Sequence, residues 1–376
     1  MESEISRSPR DKVVRRVQEW IKSGALRPGD FLPSERQLAD QLGVARLTAR
    51  YALIDLQREG ILETVNRKRR LVAQARRSAL AQAVILVSTA RYSPAIGWES
   101  RVQVQVEEDL QRQGFNPMLF NPRASSPDRL YALLDEDPAG FIVFADASEH
   151  PAVQEFVTRA VASGRPVVVQ SDSEQFHDAV RVTSDHEAGA YELTRCLIDR
   201  GCRRILRFWA RPVKTGWIER RDAGVQRALT EAGLPILPEL LAAVMDRQGE
   251  ELPDQYYFTS RTRQMLGFLY EHLTGPSRVD GILVLSDPDA LSVANACRIA
   301  GLEPNRDILI GGYDHCWSIC PEYFFEKTAP AATVDKRNDL IGKELVAEFL
   351  KGTSASDQRR LILVPPVLVP LPEATS

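Results

Sequence analysis

The chain has 376 residues, 44% of them hydrophobic and 26% charged, with a formal net charge of −3. At about 150 residues per domain this is room for two or three globular domains with sizeable cores, and more than a single small module needs. No apolar segment follows the first methionine and no run reaches the roughly 18 apolar residues of a membrane span, so neither export nor insertion is expected and a cytoplasmic location is. The five cysteines form no regular framework and suit a reducing compartment. Cys316 and Cys320 beside His315 lack a second pair of ligands at suitable spacing, so no metal site is expected.

The total charge conceals an asymmetry. Residues 1–78 carry 17 Lys and Arg against 10 Asp and Glu, net +7, and the remaining residues carry 31 against 41, net −10. A basic head on an acidic body is what nucleic-acid binding at one end requires.

In chain order, residues 9–22 predict an amphipathic helix with Val13, Val14, Val17, Trp20 and Ile21 as its apolar stripe. Residues 27–30 predict a turn, with Pro28 fixing one central position and Gly29 freeing the next. Ser34 followed three residues later by Gln37 is a capping box that starts a second helix after Pro33, with Leu38, Ala39 and Leu42 on its apolar face. Gly43 lets the chain turn into a third helix, with Leu47, Tyr51, Ile54 and Leu53 expected to face inward. Arg46 and Arg50, four apart, point the same way, with Thr48 near the helix start. That is the geometry of a recognition helix in a major groove, although two arginines on a helix are also what a solvated face carries. Residues 61–65 and 71–73 predict two strands, and the linker is expected at 75–82.

The run ALRPGDFLPSERQLADQLGVARLTARYALIDLQREGIL at 25–62 closely resembles the winged helix-turn-helix of gluconate-repressor (GntR-type) regulators. The resemblance implies operator contacts by Arg36, Arg46 and Arg50, beside Ser34 and Thr48. The family's wing tip carries Gly-x-Gly-Thr, where this chain has Asn66, Arg67, Lys68, Arg69 and Arg70. The cations favour phosphate attraction, while the missing glycines put the family's close backbone approach in doubt.

From residue 83 apolar strands alternate with amphipathic helices. Strands are expected at 83–88, 117–121, 140–145, 166–170, 179–183, 204–209, 281–286, 308–312 and 331–335. Helices are expected at 98–113, 127–135, 151–163, 186–200, 218–232, 259–273, 288–300 and 336–351. Repeated βα units imply open parallel sheets flanked by helices.

Three stretches in this half are similar to the effector domain of lactose- and galactose-repressor regulators, whose fold is that of periplasmic sugar-binding proteins. VTSDHEAG at 182–189 resembles the entry into the second subdomain, with His186 where the family has Asn. ERRDAGVQRAL at 219–229 resembles the helix "Arg-x-x-Gly-x-x-x-Ala-Leu", placing Arg221 at its ligand-binding arginine. GILVLSDPDAL at 281–291 and ILIGGYD at 308–314 resemble the last two strand ends, with Ser286, Asp287 and Asp314 on the ligand side. The resemblance implies two lobes, with crossings near Ala179 and Asn305 and again at 331–335.

Ligands of open α/β sheets bind beyond the carboxyl ends of strands. Arg221 and Asp314 suit a polyol held between lobes, with Asp185 beside them, and Trp98, Trp217 and Trp317 on strand-to-helix connections suit the apolar face of a sugar ring. Other readings stay open. Arg221 could pair with Glu219 or Asp222, Asp287 could cap the helix at Pro288, and His186 could be a capping neighbour.

The fold class expected is therefore α/β: a winged helix-turn-helix over 1–74, a linker over 75–82 and a two-lobed periplasmic-binding-protein-like domain with parallel sheets over 83–376. The function expected is a repressor that binds a palindromic DNA operator as a homodimer under control of a sugar effector, with no cofactor and no catalysis. A second domain that only dimerises or binds a protein partner is the alternative. An enzyme fused to the head is disfavoured, since no phosphate-binding loop, nucleophile elbow or His-Glu-x-x-His motif occurs.

Overall fold

The computed structural model describes residues 9–58, 61–65, 69–72, 80–89, 101–245, 254–352 and 360–371. Trp98, Arg67, Lys68 and most of the expected linker lie outside them. The chain divides into two compact units, Met1–Ala81 and Gln82–Ser376.

The first unit packs α1 (Pro9–Lys22), α2 (Glu35–Leu42) and α3 (Arg46–Arg58) against the antiparallel strands β1 (Leu62–Val65) and β2 (Arg69–Val72). The capping box of α2 is formed: the Gln37 amide donates to Ser34 Oγ at 3.3 Å, and Gln37 Oε1 accepts from the Ser34 amide at 2.9 Å. Gly43 ends the helix at φ 63°, a left-handed conformation that costs glycine little. The core comprises Val13, Val17, Leu32, Leu38, Ala52, Leu53, Leu56, Leu62 and Val72.

One expectation for α3 is corrected. Its buried stripe is Ala49, Ala52, Leu53 and Leu56, while Leu47 and Tyr51 are 58% and 49% exposed. Both stripes obey helical spacing. The two alanines mark the inner one, because small side chains let α3 approach α1 and α2.

The second unit has two lobes. Its elements are β3 (Ala83–Val87), α4 (Arg101–Arg112), β4 (Asn116–Phe120), α5 (Pro127–Ala132), β5 (Gly140–Val143), α6 (Ala145–Ser148), α7 (Pro151–Ala162), β6 (Val167–Val169), β7 (Val180–Ser184), α8 (His186–Asp199), β8 (Ile205–Trp209), α9 (Gly216–Glu231), β9 (Leu240–Leu241), α10 (Asp254–Leu273), β10 (Gly281–Leu283), α11 (Asp287–Ile299), β11 (Leu309–Tyr313), β12 (Ala332–Asp335), α12 (Asn338–Lys351), β13 (Leu361–Val364) and β14 (Val367–Pro370). The first lobe's sheet runs β13-β7-β6-β5-β3-β4, parallel throughout. The second runs β14-β12-β11-β10-β8-β9, parallel except for β14.

The crossing expected at 331–335 lies at the end of that segment, and the other two differ from those expected. The chain leaves the first lobe at Asp185, directly after β7, and returns after β12 through Lys336 and Arg337, the latter at φ 59°. It crosses once more at Pro365 and Pro366, between β13 in the first sheet and β14 in the second. Asn305 lies in a turn of the second lobe, where Pro304 bridges Ile308. Periodicity identifies a strand but carries no sign of which sheet takes it, so the last two strands and the third crossing escape a sequence reading.

The tightest joint is between α8 and α9. A Cβ on Gly224 would overlap the Glu187 carbonyl oxygen, and one on Gly189 would overlap the Tyr313 hydroxyl. Two motif glycines therefore set the spacing that brings α8, α9 and β11 to one point.

Candidate functional site

On the head, α3 presents Arg46 and Arg50 on its exposed side, with Leu47 and Tyr51 beside them, and Thr48 is half-buried. Arg46 has a side chain 75% exposed and lies 3.8 Å from Glu35. Arg36 is exposed on α2. Ser34 is exposed as well, but its hydroxyl serves the helix cap.

The wing cations are not equivalent. Arg69 is exposed, with its guanidinium 4.5 Å from the centre of the Phe31 ring. Arg70 is turned into the protein, its side chain 15% exposed and paired with Glu35 at 2.9 Å. Arg70 is thereby corrected from a free wing cation to a brace between β2 and the start of α2. The alternation of a strand explains it, since neighbouring side chains point to opposite faces.

In the second unit, Arg221, Trp217, His186 and Tyr313 meet around the N-terminal half of α9. Arg221 is 3% exposed. Its Nη1 donates to the Leu285 carbonyl at 2.7 Å and its Nε to His186 Nδ1 at 3.5 Å. The guanidinium carbon lies 3.4 Å from the ring centroid of Tyr313 and 4.6 Å from that of Trp217. Glu219 and Asp222 do not pair with it; Asp222 pairs with Arg207 and Lys214. Burial lowers the pKa of Arg221.

His186 sits inside this cluster, its ring 5.9 Å from Trp217 and 6.4 Å from Tyr313, with Nε2 3.5 Å from Thr183 Oγ1. Burial, then the charges of Arg221, Lys336 and Arg220, hold its pKa well below the usual value. A neutral ring accepting at Nδ1 from Arg221 carries its proton on Nε2. A sequence reading allowed His186 only a capping role. Asp185 does the capping, accepting from the Ala188 amide at 2.9 Å.

Asp314, at φ 91°, is buried and paired with Lys336 at 2.6 Å, which ties the end of β11 to the crossing segment. Asp287 is fully buried. It accepts from the amides of Cys316 at 2.7 Å and Trp317 at 3.0 Å and from the Thr333 hydroxyl at 2.7 Å. Burial pushes its pKa up to about 7. Its expected place on the ligand side is corrected: the carboxylate is spent pinning the loop after β11. Ser286 caps α11, its hydroxyl accepting from the Asp289 amide at 3.4 Å. Trp317 is half-buried, edge-on to Tyr323 at 5.5 Å, and Trp217 is the tryptophan that joins the arginine cluster.

An interlobe pair escaped the sequence entirely. Asp172, in the loop after β6 of the first lobe, meets Arg220 of α9 in the second at 3.0 Å. The two stand far apart in sequence and no motif assigns either a role, so only the fold reveals them. Among the described residues no group of three or more His, Cys, Asp and Glu is placed to hold a metal ion, and no helix is long and apolar enough to cross a membrane.

The chain thus joins a winged helix-turn-helix head to a two-lobed α/β body with a polar cluster where the lobes meet, and the comparisons match both parts. Residues 9–72 match the family of bacterial regulatory proteins called gntR, and residues 194–370 match the periplasmic binding protein-like domain. The uncharacterized HTH-type transcriptional regulator YihL of Escherichia coli is 38% identical over 66 residues, 18% of this chain and 28% of that protein. The chain thus spans little more than a quarter of the length of that relative. The arabinose metabolism transcriptional repressor of Geobacillus stearothermophilus is 24% identical over 313 residues, 81% of each chain. Among solved structures, a LacI-family regulatory protein from Chloroflexus aggregans superposes with a TM-score of 0.59 at 23% identity, covering 77% of this chain and 97% of that one.

Proposed function

We propose that the chain is a transcriptional repressor whose affinity for a DNA operator is set by a sugar or sugar derivative bound between the lobes of its body. The observation that carries this reading is the Arg221 cluster, a buried guanidinium held between Tyr313 and Trp217 at the strand ends of a domain covalently joined to a gntR-type head. The arabinose repressor, similar over 81% of this chain, supports a sugar as effector. Arg36, Arg46 and Arg50 read the operator, and Arg67, Lys68 and Arg69 attract its phosphates. Arg221 and Trp217 face the effector, Asp314 orients Lys336, and Asp172 with Arg220 clasps the lobes. The protein works as a homodimer on a palindromic site. Exposed Ile319, Phe324 and Phe325 of the second lobe support an apolar contact with a second copy. Segment 75–82 is the covalent path along which closure reaches the head.

Footprinting of the full-length protein on DNA upstream of its own gene tests the reading. Two symmetric protected half-sites are expected, with protection altered by an effector found in a thermal-shift screen of pentoses, hexoses and their derivatives. A footprint that no sugar alters while the body binds a protein would favour the partner-binding alternative. Turnover of a candidate would favour an enzyme.

A further inference from the structure

Four cations, Arg211 in the loop before α9, Arg220 and Arg221 near the start of α9 and Lys336 in the crossing after β12, gather here, and only two of them have a carboxylate. Lys336 pairs with Asp314 and Arg220 with Asp172. Arg211 and Arg221 make no ion pair among the described residues, yet their guanidinium carbons lie 5.6 and 4.6 Å from the centre of the same Trp217 ring. As like charges they repel each other: burial lowers the pKa of Arg221 and Arg211 acts in the same direction, while Tyr313 and Asp314 act against it. The nearby acids are engaged, Asp185 in capping α8 and Asp287 in pinning the loop after β11. The neutral His186 ring can accept a hydrogen bond from Arg221 but cannot balance its charge.

A buried guanidinium with no carboxylate at salt-bridge distance, while Asp314, the acid that acts on it, is already paired with Lys336, is a costly arrangement that natural sites resolve by pairing. Tyr313 and Trp217 cover the faces of Arg221, and Leu285 and His186 take donors from its edge, so the donors left over call for an acceptor from outside the chain. A hydroxyl would satisfy a hydrogen bond and leave the charge. A carboxylate or phosphate oxygen would satisfy both.

We infer that the effector is an anionic polyol, a sugar acid or a phosphorylated sugar, whose negative group lies against Arg221 and Arg211 beside Trp217. This rests on the sugar-controlled reading above and narrows it.

Calorimetry on the full-length protein decides the matter with matched sets: glucose, gluconate and glucose 6-phosphate; galactose, galacturonate and galactose 1-phosphate; arabinose, arabinonate and arabinose 5-phosphate. In at least one set a charged member should bind about tenfold or more tighter than its neutral parent. Whether the acid or the phosphate wins names the group. The advantage should vanish in Arg221→Gln, survive in part in Arg221→Lys, and shrink in Arg211→Gln, an exposed position at which the fold tolerates the change. Neutral parents that bind as tightly as their charged partners would overturn this inference and leave the sugar-controlled repressor standing. Binding by no member of any set would overturn both, and a charged advantage that persists in Arg211→Gln and Arg221→Gln would overturn the assignment to these arginines.

Discussion

The guanidinium carbon of Arg221 lies 3.4 Å from the centre of the Tyr313 ring, and the two side chains are buried together where α9 meets the end of β11. Stacking on an aromatic face offsets part of the cost of burying a cation, by about 2 kcal/mol when desolvated. Tyr313→Phe keeps the face and is expected to change stability by less than about 1 kcal/mol. Tyr313→Leu loses the face and leaves a gap, and should cost about 2–4 kcal/mol in denaturant unfolding together with most of the effector-induced thermal shift. Equal behaviour of the two variants would show that the ring face does not support the arginine.

Gly224→Ala tests the joint between α8 and α9. In an exposed helix interior this substitution stabilises by about 0.8–1 kcal/mol. Here the added methyl meets the Glu187 carbonyl, and overpacking against backbone costs about 1–3 kcal/mol. A lowered melting temperature is the expected sign, and a raised one would refute the close approach.

The wing separates into two roles. Neutralising Arg67, Lys68 and Arg69 should weaken binding to all DNA sequences and flatten the dependence of log K on log salt by up to about 0.9 for each phosphate that is no longer neutralised. Arg70→Ala should leave that slope nearly unchanged and lower the stability of the head by up to about 1 kcal/mol through removal of the Glu35 pair. Arg46→Ala with Arg50→Ala should abolish specific footprints while the body unfolds as before.

His186 and Asp287 pull the pH dependence of stability in opposite directions. The folded pKa of His186 is depressed, so the unfolded chain binds its proton more readily; the contribution is full above about pH 6.5 and is lost as pH falls below it. The folded pKa of Asp287 is raised to about 7, so its contribution is full below the ordinary carboxylate value of about 4 and is lost as pH rises from there to 7. His186→Gln should therefore make the protein gain stability on acidification from about pH 6.5 to 5 relative to the parent, by up to about 1.4 kcal/mol per pH unit. Parallel melting curves of parent and variant across that window would contradict a buried neutral His186.

Much of the molecule was legible in the residues because its signals are local. The Ser34 and Gln37 capping box, the helical stripe of α1 and the alternation of strand and helix each depend on neighbours within a few positions. Arg221 was found through its motif, and Gly224 of the same motif proves to be there for contact with the Glu187 backbone. Local signals misled where two patterns satisfied one periodicity, as on α3, where Leu47 and Tyr51 compete with Ala49 and Ala52 for the inner face.

By itself, the sequence determined a basic winged head, an α/β body and the residue types at the strand ends, since helical and strand periods and short caps are encoded within a few residues. Only the tertiary structure decided which charges are spent and which are free. Arg70 is answered by Glu35, Asp314 by Lys336, and Asp172 by Arg220 from the other lobe, while Arg211 and Arg221 are left facing one tryptophan. Charge pairing is a matter of a few ångströms in space between residues 20 to 50 positions apart, and no periodicity in the chain records it.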